Sequence, residues 1–381
     1  MRMTYLQLQG LVNHLANLRN VVNAIVYPDA DKETLKQEII AITDQIVRVN
    51  IFVSFAPFQP DEYINYVMVL ITWLDEIRLS HAYRLDDEMS YCITTLIQKW
   101  DSNYDQKIVV FTLGDYSVHK IKGNVNTHRI DFLLTLSQRT GVNLTKEPVF
   151  IRVPDEFKDH ILANVVLFHE VGHIIDKINY VSEMVFNEIF PVLQRKRRCK
   201  LKREFFPRYE GKDINAIPEA DVIVMSHIEE YIADVFGAQY AHEHILCYLS
   251  YLAAKSPNRD SKDHPSPNCR QAMVSSFIRR CGGRRVDNPL LDYIIHYLPN
   301  LSLVHSPYTE QDLIAPTLQF ADENGMFGCF SKTWEIVLGN AKLAGIKREG
   351  KADYMRVLAT QQYIDYNSNL RRAIGELKNR H

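Results

Sequence analysis

The sharpest chemistry in the chain is His169-Glu170-Val171-Gly172-His173, two imidazoles at i and i+4 with a carboxylate beside the first. The segment around it, Ile161 to Asp176, carries apolar residues at helical period. At 3.6 residues per turn, positions i and i+4 stack on one face, so both rings can reach one tetrahedral ion while Glu170 points beside it. By composition, such a pentapeptide arises by accident in roughly 3% of chains of this length, so its surroundings must decide whether it is a metal site or a chance match on an amphipathic helix.

Those surroundings include a second segment, Ser226-His227-Ile228-Glu229-Glu230-Tyr231-Ile232-Ala233-Asp234. It belongs to a helix expected from Pro218 to about Tyr240, with Pro218 near the first helical position and Glu219 and Asp221 in the first turn. Glu230 and Asp234 share a face. Glu230 would complete three protein ligands and leave a fourth position for water, as a catalytic zinc requires. Asp234, one turn on, would accept the spare ring N–H of a ligand histidine and raise its basicity. His227 competes for the third-ligand role, but Glu230 paired with Asp234 offers ligand and support together. The bland alternative is an ordinary charged helix face. Gly172 costs up to about 1 kcal/mol in a helix relative to Ala, which a close neighbour would explain, and the helix carrying Glu230 is a natural one. Asp176, at i+3 from His173, reads either as a further supporting carboxylate or as a surface residue at a helix end.

On these residues the sequence resembles the gluzincin metallopeptidases, whose pattern is H-E-x-x-H followed by a helix bearing E-x-x-x-D. A third segment, Asp263-His264-Pro265-Ser266-Pro267-Asn268-Cys269-Arg270, is similar to the H-P-x-x-x-x-R element of the CAAX-prenyl-protease branch. The zinc-helix pattern is also similar to that of the Lit phage-exclusion peptidases. Either likeness covers roughly Pro148 to Arg280. It implies a zincin-like catalytic domain in which His169, His173 and Glu230 hold Zn²⁺ and Glu170 is general base and then acid. His264 or Arg270 would lie near the cleft, donating to the oxyanion or orienting the ligand helix, with His264 the first candidate for the oxyanion donor; otherwise this is a Pro-rich loop with a solvated His. The implied activity is a zinc-dependent endopeptidase acting on an intracellular protein or peptide. Two other readings stand beside it. One is a metal-dependent hydrolase of another amide, although the Cys ligand motif of peptide deformylase has no match at Cys92. The other is a non-catalytic zinc-site regulatory or interaction protein, of phage-defence or toxin type.

The elements that must position these residues give an α+β, mostly helical fold class with a small sheet. Apolar residues at three- and four-residue steps predict four helices between Leu6 and Trp100. β-branched runs predict strands at Lys107–Leu113, Tyr116–Ile121 after a turn at Gly114-Asp115, and Pro148–Val153. Helix returns after Pro154, Lys255 to Asn268 reads as a loop, and the last eighty or so residues read as helices with Gly-punctuated turns. The expected division is a helical N-terminal domain or lid over 1–104, a zincin-like domain over 105–300 and a helical C-terminal region over 301–381.

Composition sets the frame. The chain has 381 residues, 46% hydrophobic and 24% charged, with a net charge of -2, so nothing global attracts nucleic acid or anionic lipid. Six scattered cysteines without a C-x-x-C pair, no secretory leader and no apolar run near the roughly 20 residues of a membrane span give an expectation of a cytoplasmic protein with reduced thiols. One local exception is Arg195 to Arg203, seven basic residues among nine. It reads as a rim that captures an acidic substrate or nucleic acid, or as a solvated insertion; of these partners nucleic acid is the less expected, because the aromatic interleaving of a single-strand binder is missing apart from Phe205 and Phe206. A second basic cluster, Arg279 to Arg285, could adjoin it in space.

Overall fold

In a computed structural model of the chain, the structure describes residues 5–27, 30–49, 51, 58–82, 87–103, 105, 107–113, 135–153, 160–242, 244–245, 260–343 and 351–380. These residues are mostly helical and form two compact units, 1–86 with 101–159, and 87–100 with 160–381. Residues 87–100 and 301–381 belong to the same unit as His169.

In the first unit, α1 (Tyr5–Asn23), α2 (Ala30–Val47) and α3 (Pro60–Ala82) follow the predicted stripes. Leu8, Val12, Leu15, Leu18 and Val22 of α1 and Leu35, Ile39, Ile42 and Ile46 of α2 are buried in one core with Tyr63, Val67, Leu70 and Leu74 of α3. β1 (Lys107–Leu113) and β2 (Glu147–Val153) pair in parallel, in register from Lys107 with Glu147 to Leu113 with Val153. This pair accounts for all the strand structure among the described residues. It belongs to the first unit, with β1 packed on α3, rather than to the domain expected to carry the metal. Gly114-Asp115 and Tyr116–Ile121 lie outside the described residues.

The second unit is built around two helices. α4 (Asp87–Trp100) is followed, after the first unit's strands, by a 3-10 turn at Ala163–Val166 that runs into α5 (Leu167–Asn179). Then come α6 (Val181–Arg195), the short α7 (Lys200–Phe205), α8 (Ala220–Ala241), α9 (Pro267–Cys281) and α10 (Pro289–Tyr297). The chain ends with α11 (Glu310–Ile314), α12 (Glu323–Leu343), α13 (Lys351–Leu358) and α14 (Gln361–Lys378). α8 is apolar on nearly every side, from Ile223 to Ala241, and is accordingly the central helix, with α5, α6, α9 and α12 packed around it. It starts two residues later than expected: Pro218 lies outside, and Glu219 holds a left-handed φ of 58° at the N-cap. No described helix is long and apolar enough to cross a membrane, and the described cysteines are free.

Candidate metal centre

α5 and α8 meet where glycine permits it. A Cβ on Gly172 would lie 2.7 Å from Ala233 Cα and 2.9 Å from Phe236 Cβ, and one on Gly237 would lie 3.1 Å from His169 N. Both glycines thus remove a side chain from the crossing and let the two backbones approach. The α5 flank is fixed from behind by Phe168, edge-on to Tyr240, Phe327 and Phe330 at 5.4–5.9 Å. Just ahead of α5, Trp334 Nε1 of α12 donates to the Leu162 carbonyl at 2.8 Å. The C-terminal helices are thus part of the support of the His-bearing helix.

At this crossing His169 and His173 stand 4.8 Å apart, ring planes at 86°. With Glu170 they form a cluster whose ligand atoms all lie within 4.8 Å of one another. Glu230 reaches in from α8: its carboxylate lies 3.7 Å from His169 Nε2 and 3.6 Å from His173 Nε2. Asp234, one turn on, places Oδ1 3.0 Å from His169 Nδ1, the opposite side of that ring. His264 Nε2 lies 3.5 Å from Glu230 Oε1, and His264 is partly exposed, so this imidazole closes the site from the loop ahead of α9.

Arg270 is the residue whose weight the sequence understated. Ser266 caps α9 by accepting from Cys269 N, and Pro267 occupies its first turn, so Arg270 projects from the helix start into the site. Its Nε and Nη2 donate to Asp234 Oδ2 and Oδ1 at 2.7 and 2.6 Å, and its Nη1 lies 3.1 Å from Glu230 Oε2. A Ser-Pro pair after a loop is a helix-start signal, and it was present inside the stretch read as loop. The rest of that stretch up to Ser266 carries no helix among its described residues.

His227 is excluded from the cluster. Its Nε2 lies 3.0 Å from the Ser261 carbonyl oxygen and its ring is parallel to Phe206 at 6.3 Å. Burial holds its pKa below the usual value. Asp176 is neither of the two things expected: it is fully buried, and it accepts from Ser182 N at 2.6 Å, tying the start of α6 across the left-handed Tyr180. Burial raises its pKa to about 7.

The electrostatics fit a cation. Glu170, Glu230 and Asp234 are buried around one guanidinium, with Lys177 acting at longer range. Burial first, and then the Glu230 charge, push the Glu170 carboxyl well above its ordinary range. Burial first, and then His169, push the His173 imidazole well below, so the ring is neutral and can offer a lone pair. Asp234 goes the other way: burial would raise it, but Arg270 holds it at about 2. Glu170 Oε2 is buried with no hydrogen-bond partner. Ligand atoms about 2.0–2.2 Å from a common tetrahedral ion are about 3.3–3.6 Å apart, close to the spacings of Glu230 from both imidazoles. The residues present therefore suit a divalent metal held by nitrogen and oxygen.

Compared with known proteins, the chain matches no family model, no curated protein and no solved structure. By its own geometry the chain is a mostly helical protein with a metal-capable His-Glu-His group.

Proposed function

We propose that the protein is a zinc-dependent endopeptidase of gluzincin type acting on a protein or peptide. The observation that carries this reading is the convergence of Glu230 on the two imidazoles of the H-E-x-x-H helix, with Glu170 alongside and one of its carboxylate oxygens buried without a hydrogen-bond partner. His169, His173 and Glu230 would hold the metal. Zinc bound there would supply a Lewis acid that polarises the scissile carbonyl and acidifies water toward a pKa of about 7.

The chain's own residues do the rest. Glu170 takes the proton of the attacking water on its free carboxylate oxygen and hands it to the leaving amine nitrogen, so one group serves as base and acid. Asp234 orients His169 from the rear, and Arg270 orients Asp234. His264, partly exposed at the edge of the site, would donate to the developing oxyanion.

The test is Glu170→Gln. It should retain zinc and fold while turnover falls by about 10²- to 10⁴-fold. Purified from cells as a trap, this variant should hold a polypeptide that the wild type cleaves in a chelator-sensitive way. Wild-type turnover by Glu170→Gln on such a substrate, or an active protein without metal, would overturn the reading.

A further inference from the structure

Two basic runs, distant in sequence, adjoin in the second unit. Lys200 at the start of α7 donates to the Asp287 carbonyl and pairs with the Asp287 carboxylate at 2.6 Å. α7 packs on α9, and α10 packs on α6. The turn that follows α9 is thereby held beside the stretch that follows α6. Arg195 and Arg279 sit in the last turns of α6 and α9, where a cation complements the helix dipole, so they have a structural explanation. Lys196, Arg197, Arg198, Arg284 and Arg285 lie beyond the helix ends, are exposed, and pair with no carboxylate among the described residues. Two neighbouring acids are already engaged, Asp287 by Lys200 and Asp292 by Arg280, while Glu210 is half-buried beside Gly211, whose N–H donates to the Arg197 carbonyl. A cluster of like charges with few counter-charges is repulsive in the free protein and creates a positive potential that an acidic partner would relieve.

We infer that this face is an exosite that captures an Asp/Glu-rich segment of the polypeptide substrate, an inference that rests on the peptidase reading. Three observations favour an acidic polypeptide over nucleic acid. Phe205, Phe206 and Tyr209, which follow the first run in sequence, are buried at 2%, 0% and 0% exposure, and Phe186 and Phe190 ahead of it are stacked on each other at 4.6 Å, so the run is not interleaved with exposed rings on which bases could stack. The chain as a whole is slightly negative, so the attraction is local. The third is the link to the metal centre. α9 carries Arg270 into the site at one end and Arg279 to the basic face at the other, a run of about 13.5 Å at 1.5 Å per residue. An extended chain covers that in about four residues at about 3.3 Å each, so one polypeptide can occupy both places, with the acidic segment at least about four residues from the cleaved bond.

The experiment uses the zinc-loaded full chain and a fluorescein-labelled ten-residue polyglutamate peptide, followed by anisotropy at several salt concentrations. The wild type should bind it, less tightly as salt rises. Arg197→Gln/Arg198→Gln/Arg284→Gln/Arg285→Gln should bind it at least about tenfold more weakly, with zinc content and melting unchanged. If that variant fails to fold, each half of it, the 197/198 pair and the 284/285 pair, should weaken binding about threefold. Glu170→Gln should bind polyglutamate as the wild type does, so a failure of the peptidase reading is seen separately in turnover. Equal binding by the wild type and the neutralised variant, no binding at low salt, or at least tenfold tighter binding of a ten-base-pair DNA duplex would each overturn the exosite.

Discussion

Arg270 grips Asp234 with two hydrogen bonds of 2.7 and 2.6 Å, and Asp234 in turn stands 3.0 Å from the Nδ1 of His169. Both partners are almost fully buried, so the pair is a fixed bracket rather than a surface ion pair. Removing one member leaves the other as an uncompensated buried charge. Arg270→Ala should therefore destabilise the second unit by about 3–5 kcal/mol and weaken zinc binding by about 10- to 100-fold. Arg270→Lys should fall between, since it keeps the charge and loses the fork. Thermal melting and a competitive zinc titration check both, and an Arg270→Ala protein with wild-type stability would show that the bracket is dispensable.

The choice between Glu230 and His227 is open to the same titration. Glu230→Ala should strip the metal, whereas His227→Ala should leave zinc affinity within about threefold of wild type, because His227 is engaged with the Ser261 carbonyl and Phe206 instead. The reverse pattern would refute the ligand set.

Gly172→Ala tests the helix crossing. The added methyl would meet Ala233 Cα at 2.7 Å, and a backbone atom cannot rotate away. The expected cost is about 1–3 kcal/mol, with a loss of zinc affinity as α5 and α8 separate. Gly237→Ala should be milder, its nearest contact being 3.1 Å. Melting temperature together with metal affinity reads the outcome, and a neutral Gly172→Ala would mean that the helices are not in contact there.

His244 gives the pH dependence. It is fully buried, stacked on Trp334 at 3.6 Å, and burial lowers its pKa from 6.5 to about 3. Because the folded-state value is depressed, the unfolded chain takes the proton first; this stability is present above about pH 6.5 and is lost as pH falls toward 3. Between pH 7 and pH 5 this group should contribute a loss of about 2 kcal/mol. In urea unfolding, His244→Phe should show a correspondingly smaller acid loss than wild type; identical pH profiles would exclude a buried neutral His244.

Much of the site was legible in the sequence because helix periodicity is a local property. The i, i+4 spacing places His169 and His173 on one face of any helix that contains them, and the same spacing places Glu230 with Asp234. The stripes of α1, α2 and α4 are legible for that reason too. A glycine between the two histidines of α5 also signals a close neighbour, which the structure supplies in Ala233 and Phe236.

What only the tertiary structure decided depends on contacts between segments far apart in the chain. His227 and Glu230 are nearly equivalent on a helical wheel; packing alone turns one toward Phe206 and Ser261 and the other toward the imidazoles. Asp176 became a buried cap for α6 because Tyr180 turns the chain back through a left-handed conformation. β1 and β2 pair in parallel across a long connection, and residues 87–100 pack with the C-terminal half of the chain, neither of which any local pattern specifies. Arg270 follows the same rule: its local sequence starts a helix, but that helix places a guanidinium on Asp234 only because α9 packs against α8. Spacing along a chain sets which side chains share a face, and the burial of apolar surface against partners remote in sequence sets what that face meets.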